Sequence, residues 1–206
     1  MEYLDAYDEN QKYIGTFTRD EVHQKGLWHK TVHCWLYDKE GNVYFQIRKN
    51  SKKLYTTASG HVLAGESLKQ GFIREVKEEI GLDLDFDKIN KINTVIWKMD
   101  KVKDGLLIKD RAFSNVYIGL YNDDVRDFNF DPNEVIGIVK VNAKEALKLF
   151  NGITNQIEVI YLDEKNKAND QQKNINIYDF VVQSHETPIG KYGYILEEII
   201  KITSNN

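Results

Sequence analysis

Three glutamates in one short segment form the strongest chemical signal in this sequence. Glu75, Glu78 and Glu79 would share one arc of about 100° on a helix, in which each residue turns by about 100°. Carboxylates on neighbouring turns repel each other, and a divalent cation bound by oxygen ligands would offset that repulsion. The helix alone therefore leaves two interpretations open: a metal-binding face or a solvated acidic face.

The residues around these glutamates predict the helix that carries them, over positions 67–80. Ser67 and Gln70 form a capping box, and Gly81 follows the last turn as a C-terminal glycine. Gly71 lies on the carboxylate face, where a missing side chain would let a ligand approach the helix. Four apolar side chains predict the stripe that packs on the core: Phe72, Ile73, Val76 and Ile80.

The full segment from position 60 to position 82 resembles the Nudix box, G-x5-E-x7-R-E-U-x-E-E-x-G-U, in which U is aliphatic. All specified positions match: Gly60, Glu66, Arg74, Glu75, Val76, Glu78, Glu79, Gly81 and Leu82. This match favours the metal-binding interpretation over the solvated face. The resemblance implies attack of water on a phosphorus of a nucleoside diphosphate derivative or a related small organic diphosphate.

The same resemblance implies a role for each charged position of the box. Glu78 and Glu79 would be the principal ligands of Mg²⁺ or Mn²⁺. Glu75 would be a further ligand or the group that activates water, and Glu66 is the fourth acidic position. Arg74 would orient Glu75 by a charge-assisted hydrogen bond. The metal would neutralise the bridging charge and lower the pKa of the attacking water.

Residues outside the helix offer further contacts with metal and substrate. Nudix enzymes often use one more acid outside the box; Glu134 is the first candidate and Asp110 the second, with ordinary loop acids as the alternative. Arg48 and Lys53 precede the box and could bind substrate phosphates, with a solvated basic loop as the alternative. Gly60 would let the loop turn tightly at the substrate.

A second resemblance narrows the family to the branch that includes isopentenyl-diphosphate isomerase and its hydrolase relatives. It is carried by the stretch from Gly26 to His29, by Trp35, by Gln46-Ile47-Arg48 and by Gly60-His61. Histidines that match His29 and His61 bind metal in the isomerase, and imidazole suits several divalent ions. A structural hydrogen bond is the alternative role for each histidine.

Two departures from the isomerase favour hydrolysis. The isomerase has a cysteine before its Gly-His pair, whereas this chain has Ala58 in that segment. The isomerase also carries a degenerate Nudix box, and the box here is intact. An isomerase-like enzyme stays as one alternative function, and a Nudix module that binds a nucleotide without turnover stays as another.

The elements that must position these residues follow an α/β pattern of the α+β type. Because most strands are joined as hairpins, we expect a Nudix fold with a mixed β-sheet sandwiched between helices. Residues 1–26 would form an N-terminal β-hairpin and a short helix, 27–150 the Nudix domain, and 151–206 a C-terminal extension packed on it. Strands are predicted at 3–7, 13–17, 31–37, 43–48, 92–98, 113–121 and 135–141, helices from 142 to 150 and over 191–202, and a polar loop over 165–172.

Composition excludes several classes of partner. With a net charge of −4 and a pI of about 5.8, the chain lacks the excess of positive charge that binds a nucleic acid polymer. A single cysteine, Cys34, excludes an internal disulfide, and no apolar run reaches the ~18 residues of a membrane span. We therefore expect a cytoplasmic protein that acts on a small-molecule diphosphate without a membrane. The free edge of the N-terminal hairpin offers a route to a homodimer.

Overall fold

The computed structural model of the protein describes residues 1–103, 105–163, 171–181 and 193–204. The chain divides into two compact units. The first comprises Met1–Cys34, Ser59–Lys77 and Asp83–Ile118, and the second comprises Trp35–Ala58, Glu78–Leu82 and Gly119–Asn206. Two strands, Trp28–Tyr37 and Leu106–Leu120, and one helix, Leu68–Ile80, each begin in the first unit and end in the second.

The described elements belong to the α+β class, as predicted. The strands are β1 (Tyr3–Tyr7), β2 (Tyr13–Thr18), β3 (Trp28–Tyr37), β4 (Asn42–Arg48), β5 (Leu54–Tyr55), β6 (Ala58–His61), β7 (Ile89–Lys103), β8 (Leu106–Leu120), β9 (Val135–Asn142), β10 (Ile157–Asp163) and β11 (Gln171–Ile175). The α-helices are α1 (Arg19–Lys25), α2 (Leu68–Ile80), α3 (Ala143–Phe150) and α4 (Gly193–Ser204). Short 3-10 helices occur at Phe86–Lys88, Val125–Asp127 and Ile177–Asp179.

The first unit opens with the predicted hairpin. Strands β1 and β2 pair antiparallel from Tyr3 opposite Thr18, and β1 then meets β3 at Trp28. Thr18 caps α1 in a capping box with Glu21, and Gly26 ends that helix in the left-handed region at φ 69°. Strand β8 pairs with both β3 and β7, so the long second hairpin extends the same set of strands.

The second unit is built around β4. This strand pairs antiparallel with the end of β3, with β5 and with β9; β9 then pairs with β10, and β10 with β11. Asn142 caps α3 through its side-chain oxygen. The ring of Phe180 meets the rings of Phe45 and Phe150 edge-on, with centroids 5.3 and 4.9 Å apart, and together they form an aromatic core.

Several predicted elements are longer or placed differently. The strand predicted at 92–98 lies within β7, and the strand predicted at 113–121 covers the end of β8; both strands are longer than predicted. Of the polar loop predicted over 165–172, positions 165–170 lie outside the described residues, and the last two begin β11. Within the part of the chain that the structure describes, none of the helices has the length and apolar character of a membrane span.

Candidate active site

Helix α2 forms where its caps predict it. Gln70 donates its backbone N–H to Ser67 Oγ at 3.2 Å, and Ser67 donates its own to Gln70 Oε1 at 2.9 Å, which completes the capping box. Gly81 follows the last turn at φ 74°. Of the predicted apolar stripe, Phe72, Val76 and Ile80 are buried. The assignment of Ile73 to the core was wrong: it is 38% exposed, because it lies at the far border of the stripe.

The guanidinium of Arg74 organises the acidic groups at the start of the site. It donates from Nε and Nη2 to the two carboxylate oxygens of Glu66, at 2.8 and 2.9 Å. Its Nη1 donates to Glu75 Oε1 at 2.8 Å, which is the bond that the resemblance implied. Nη2 also donates to the main-chain oxygen of His61 at 2.7 Å. The bonds from Arg74 are the main reason that the pKa of Glu66 lies below its ordinary value.

Gly60 is required at its position by the carboxylate of Glu75. A Cβ atom at position 60 would lie 2.1 Å from Glu75 Cδ and from Oε2, closer than any real contact of that kind. The expectation that Gly60 makes a tight turn was wrong, because the residue lies inside strand β6. Its missing side chain instead leaves the volume that the Glu75 carboxylate fills.

Gly71 does not give a ligand access to helix α2. It is buried, and a Cβ there would lie 3.2 Å from Val62 Cγ2 and 3.3 Å from Glu66 Oε2. The expectation of ligand access at Gly71 was therefore wrong. The glycine lets the segment before α2 pack closely against the helix.

Glu78 and Glu79 lie on the last turn of α2 in different environments. Glu78 is exposed, whereas Glu79 is 2% exposed. Gln46 Nε2 donates to Glu79 Oε2 at 2.9 Å, from a side chain that is itself fully buried. The main-chain oxygen of Glu79 accepts from the N–H of Asp131 at 3.1 Å, which anchors this end of the helix. Gln46 was missed as a site residue, although a lone amide among the apolar residues of β4 was a usable signal.

The basic and acidic residues predicted outside the box are placed in separate parts of the fold. Arg48 and Lys53 lie across the turn between β4 and β5, where the Arg48 N–H donates to the Lys53 carbonyl at 3.0 Å. Glu134 is exposed, and its main-chain oxygen accepts from the N–H of Lys49 at 2.8 Å. These three residues belong to the second unit, whereas Asp110 belongs to the first.

Three histidines of the first unit meet in one cluster. His23 of α1, His29 of β3 and His61 of β6 bring a ring nitrogen each to within 4.8 Å of one another. Their ring centroids are 5.1 to 5.3 Å apart. Burial lowers the pKa of His29 to about 4, so that this imidazole is neutral at pH 7. His23 was missed from the sequence, where only its place on the helix before His29 pointed to it.

Asp110 approaches the same cluster. Its Oδ2 accepts from Trp97 Nε1 at 3.1 Å, and its Oδ1 lies 3.7 Å from His29 Nε2. Among the described residues, neither His29 Nε2 nor Asp110 Oδ1 has a hydrogen-bond partner, although both atoms are buried. Three imidazole nitrogens with a carboxylate oxygen are a donor set that suits divalent transition ions.

Comparison with known proteins identifies the family. The model of the NUDIX domain matches residues 27–163, which is more than half of the chain. The chain belongs to the Nudix family. The match begins where the predicted Nudix domain begins and continues past its predicted end at position 150.

Similar Nudix proteins extend the match beyond the box. The chain is 31% identical over 206 aligned positions to an uncharacterised Nudix hydrolase of Clostridium acetobutylicum, covering 94% of this chain and 93% of that protein. It is 31% identical over 154 positions to isopentenyl-diphosphate Delta-isomerase 2 of Photorhabdus laumondii, covering 69% and 81%. The fold is similar to the crystal structure of DR0079 from Deinococcus radiodurans, with a TM-score of 0.55 at 20% identity, covering 73% and 89%.

Proposed function

We propose that this Nudix protein is a divalent-metal-dependent hydrolase of a small organic diphosphate, with a nucleoside diphosphate derivative as the first substrate class. The observation that carries the proposal is the position of Glu75. Its carboxylate is held by Arg74 and seated against Gly60, on the same helix that carries Glu78 and Glu79. A carboxylate fixed so firmly in a metal-binding motif is suited to activate water.

Each charged residue of the box then has a proposed part in the reaction. Glu78 and Glu79 would hold Mg²⁺ or Mn²⁺, and Glu75 would take the proton from the attacking water or add a ligand. Arg74 would orient Glu75 through the hydrogen bond between them. We assign Glu66 to the support of Arg74 rather than to the metal, because both of its oxygens accept bonds from that guanidinium. When bound, the metal supplies charge neutralisation at the diphosphate and a lower pKa of its water.

The substrate is proposed to meet basic residues near the turn between β4 and β5. Arg48 and Lys53 are joined there by a main-chain hydrogen bond, and both side chains are partly exposed. Two cations held on a short turn can bind the phosphates of a diphosphate. Gly60 is proposed to act through Glu75, whose carboxylate fills the space that the missing side chain leaves. Glu134 is proposed as the acid outside the box that adds to the metal site.

A substrate screen tests the hydrolase. The purified protein is supplied with Mg²⁺ or Mn²⁺ and with nucleoside di- and triphosphates, nucleotide sugars, dinucleotides and isopentenyl diphosphate. We expect release of phosphate or nucleotide that falls about 10³-fold in Glu78→Gln and in Glu79→Gln. Glu198→Gln, on α4, is the matched control and keeps full activity. Binding of a nucleotide without release by the wild-type protein would instead support a non-catalytic module.

Isopentenyl diphosphate in the same screen separates hydrolysis from isomerisation. Ala58 is 1% exposed and has no reactive group, and Ser59 immediately precedes Gly60. Neither position offers the thiol of the isomerase. We therefore expect no conversion of isopentenyl diphosphate to its allylic isomer, and its turnover without phosphate release would favour the isomerase alternative.

We also propose that the histidine cluster holds a second divalent ion. His23, His29 and His61 would supply nitrogen ligands and Asp110 an oxygen, a donor set that suits borderline ions such as Zn²⁺. Metal content after dialysis should fall by one ion per chain in His61→Ala. His33→Asn, on the same strand as His29 but outside the cluster, should keep the full content. Equal content in both variants would remove the cluster from the metal sites.

The partners and location of the protein follow from its sequence and stay predictions. A cytoplasmic hydrolase of small molecules needs no further partner, and a homodimer would use the edge of β2, where Tyr13 and Ile14 are 54% and 49% exposed. Light scattering of the purified protein measures the oligomeric state. A monomer at all concentrations, or a dimer that survives Ile14→Lys, would exclude this edge as the interface.

A further inference from the structure

Gln46 is a polar side chain in an apolar setting. It lies in β4 between Phe45 and Ile47, and its exposed fraction is 0%. Taking an amide out of water without hydrogen bonds costs about 1–3 kcal/mol by mutational data. An apolar residue of the same size would avoid that cost, so a role for the amide has to be sought in what it contacts.

The one hydrogen bond found for this amide among the described residues is made to Glu79. Gln46 Nε2 donates to Glu79 Oε2 at 2.9 Å, and Glu79 is 2% exposed. An N–H that donates to a carboxylate favours its ionised form and fixes its orientation. A buried carboxylate without such a donor would be free to turn away or to take up a proton.

The two partners are held by rigid elements. Gln46 pairs with Ile138 on one side of its strand and with Tyr55 on the other. On the helix side, the carbonyls of Glu79 and Ile80 accept main-chain N–H groups, at 3.1 and 2.9 Å. Because neither backbone can shift easily, the bond sets the direction of the Glu79 carboxylate.

The second atom of the amide adds to the argument. In the part of the chain that the structure describes, Gln46 Oε1 is buried and lacks a hydrogen-bond partner. An acceptor left in this state destabilises the folded protein, so packing alone does not account for the residue. A donor beside Glu79, such as a water molecule in a loaded site, would satisfy it.

We propose that Gln46 is a positioning residue, which acts through Glu79 to prepare the metal site. This inference rests on the proposed function, in which Glu79 is a metal ligand. Residues that hold a metal ligand by a hydrogen bond typically contribute about 10- to 100-fold to metal affinity. Gln46 is therefore expected to control how tightly the site binds the ion before any substrate is present.

Mn²⁺ binding in the absence of substrate tests the inference. Electron paramagnetic resonance of free Mn²⁺ gives the dissociation constant of the site that is lost in Glu79→Gln. Gln46→Met, which keeps the volume but removes the donor, should raise that constant about 10- to 100-fold. In Glu79→Gln, where this site is already lost, adding Gln46→Met should change Mn²⁺ binding no further, because its effect passes through Glu79. Ile47→Val is the packing control, with lower thermal stability but unchanged Mn²⁺ affinity.

The outcomes separate this inference from the proposed function. If Glu79→Gln loses the site but Gln46→Met binds Mn²⁺ as the wild type does, the positioning role is overturned and the hydrolase proposal stands. If Glu79→Gln binds Mn²⁺ normally, the metal role of Glu79 fails, and the role of Gln46 fails with it. Gln46→Leu replaces Gln46→Met if the latter does not fold, with the same expected loss of affinity.

Discussion

The carboxylates of α2 and the histidine cluster differ in how their side chains are brought together. Glu75, Glu78 and Glu79 are neighbours on a single helix, whereas His23, His29 and His61 come from a helix and two strands. The helix itself fixes the spacing of side chains along it, at about 100° per residue. Tertiary packing fixes the spacing of side chains from three elements, so a change in any one element can separate them.

The two regions also differ in charge. The helix gathers carboxylates that repel each other, and it balances them with Arg74 and with the amide of Gln46. The cluster gathers imidazoles, of which the buried His29 is neutral at pH 7. An anionic set suits Mg²⁺, and a neutral nitrogen set suits transition ions. Under the proposed function the two regions would therefore prefer different metals, and the following variants test that difference.

The largest effect is expected from Glu75→Gln. Removal of the base should lower kcat about 10³-fold, within the usual contribution of a general base. Because the cluster does not use this carboxylate, the metal content assigned to the histidines should stay unchanged. Steady-state rates with the substrate found in the screen, together with metal analysis of the dialysed protein, measure both. A simultaneous loss of rate and of histidine-bound metal would mean that the two regions are one site.

An acid-dependent loss of stability should mark the cluster. The pKa of His29 lies at about 4 in the folded chain, below its ordinary value of 6.5. Its contribution is therefore fully present above pH 6.5 and is lost as the pH falls towards 4, by about 3 kcal/mol in all. Urea unfolding of metal-free protein at pH 7 and pH 4 should show this loss in the wild type and not in His29→Gln. An equal acid sensitivity of both proteins would contradict the burial of a neutral imidazole.

Gly60→Ala should sharpen the contrast, because β6 carries both Gly60 and His61. The new methyl group would displace the Glu75 carboxylate, and a shift of about 1 Å in a catalytic group can lower kcat/KM about 10²-fold. Metal at the cluster should remain.

Gly152→Ala is the matched control for this glycine substitution. Its φ is 67° and its Cβ would meet open space, so it should lose about 1 kcal/mol of stability and keep its activity. Wild-type activity in Gly60→Ala would show that Glu75 does not need its present position.

The smallest effect is expected from Glu134→Gln. The side chain is exposed, and an exposed charge contributes up to about 1 kcal/mol, which corresponds to about fivefold. The apparent affinity for Mg²⁺ in the hydrolysis assay should fall by no more than that. If Glu134→Gln lowered the affinity for Mg²⁺ as much as Glu78→Gln does, Glu134 would have to be counted among the principal ligands of the metal beside α2.

Local signals explain how much of the fold could be predicted. Thr18 with Glu21, and Ser67 with Gln70, marked the starts of α1 and α2, because a capping box depends on residues that are close in sequence. The ends of β7 and β8 were not predicted. A strand with both faces partly exposed lacks the hydrophobic alternation on which a prediction relies.

The sequence by itself determined the family, the α+β class and the set of box residues. Spacing within one helix is a local property, so Glu75, Glu78 and Glu79 could be placed on a common face without any structure. The resemblance also supplied the contact between Arg74 and Glu75, which the structure contains.

Only the tertiary structure decided which distant residues meet. Gln46 reaches Glu79 across 33 positions, and His23 of α1 meets His29 of β3 and His61 of β6. The structure also showed that the missing side chain of Gly60 leaves room for the Glu75 carboxylate, and that Gly60 does not form a turn. Contacts of this kind depend on side-chain volumes and on strand register, which are set when the chain packs and are not written in the spacing of any motif.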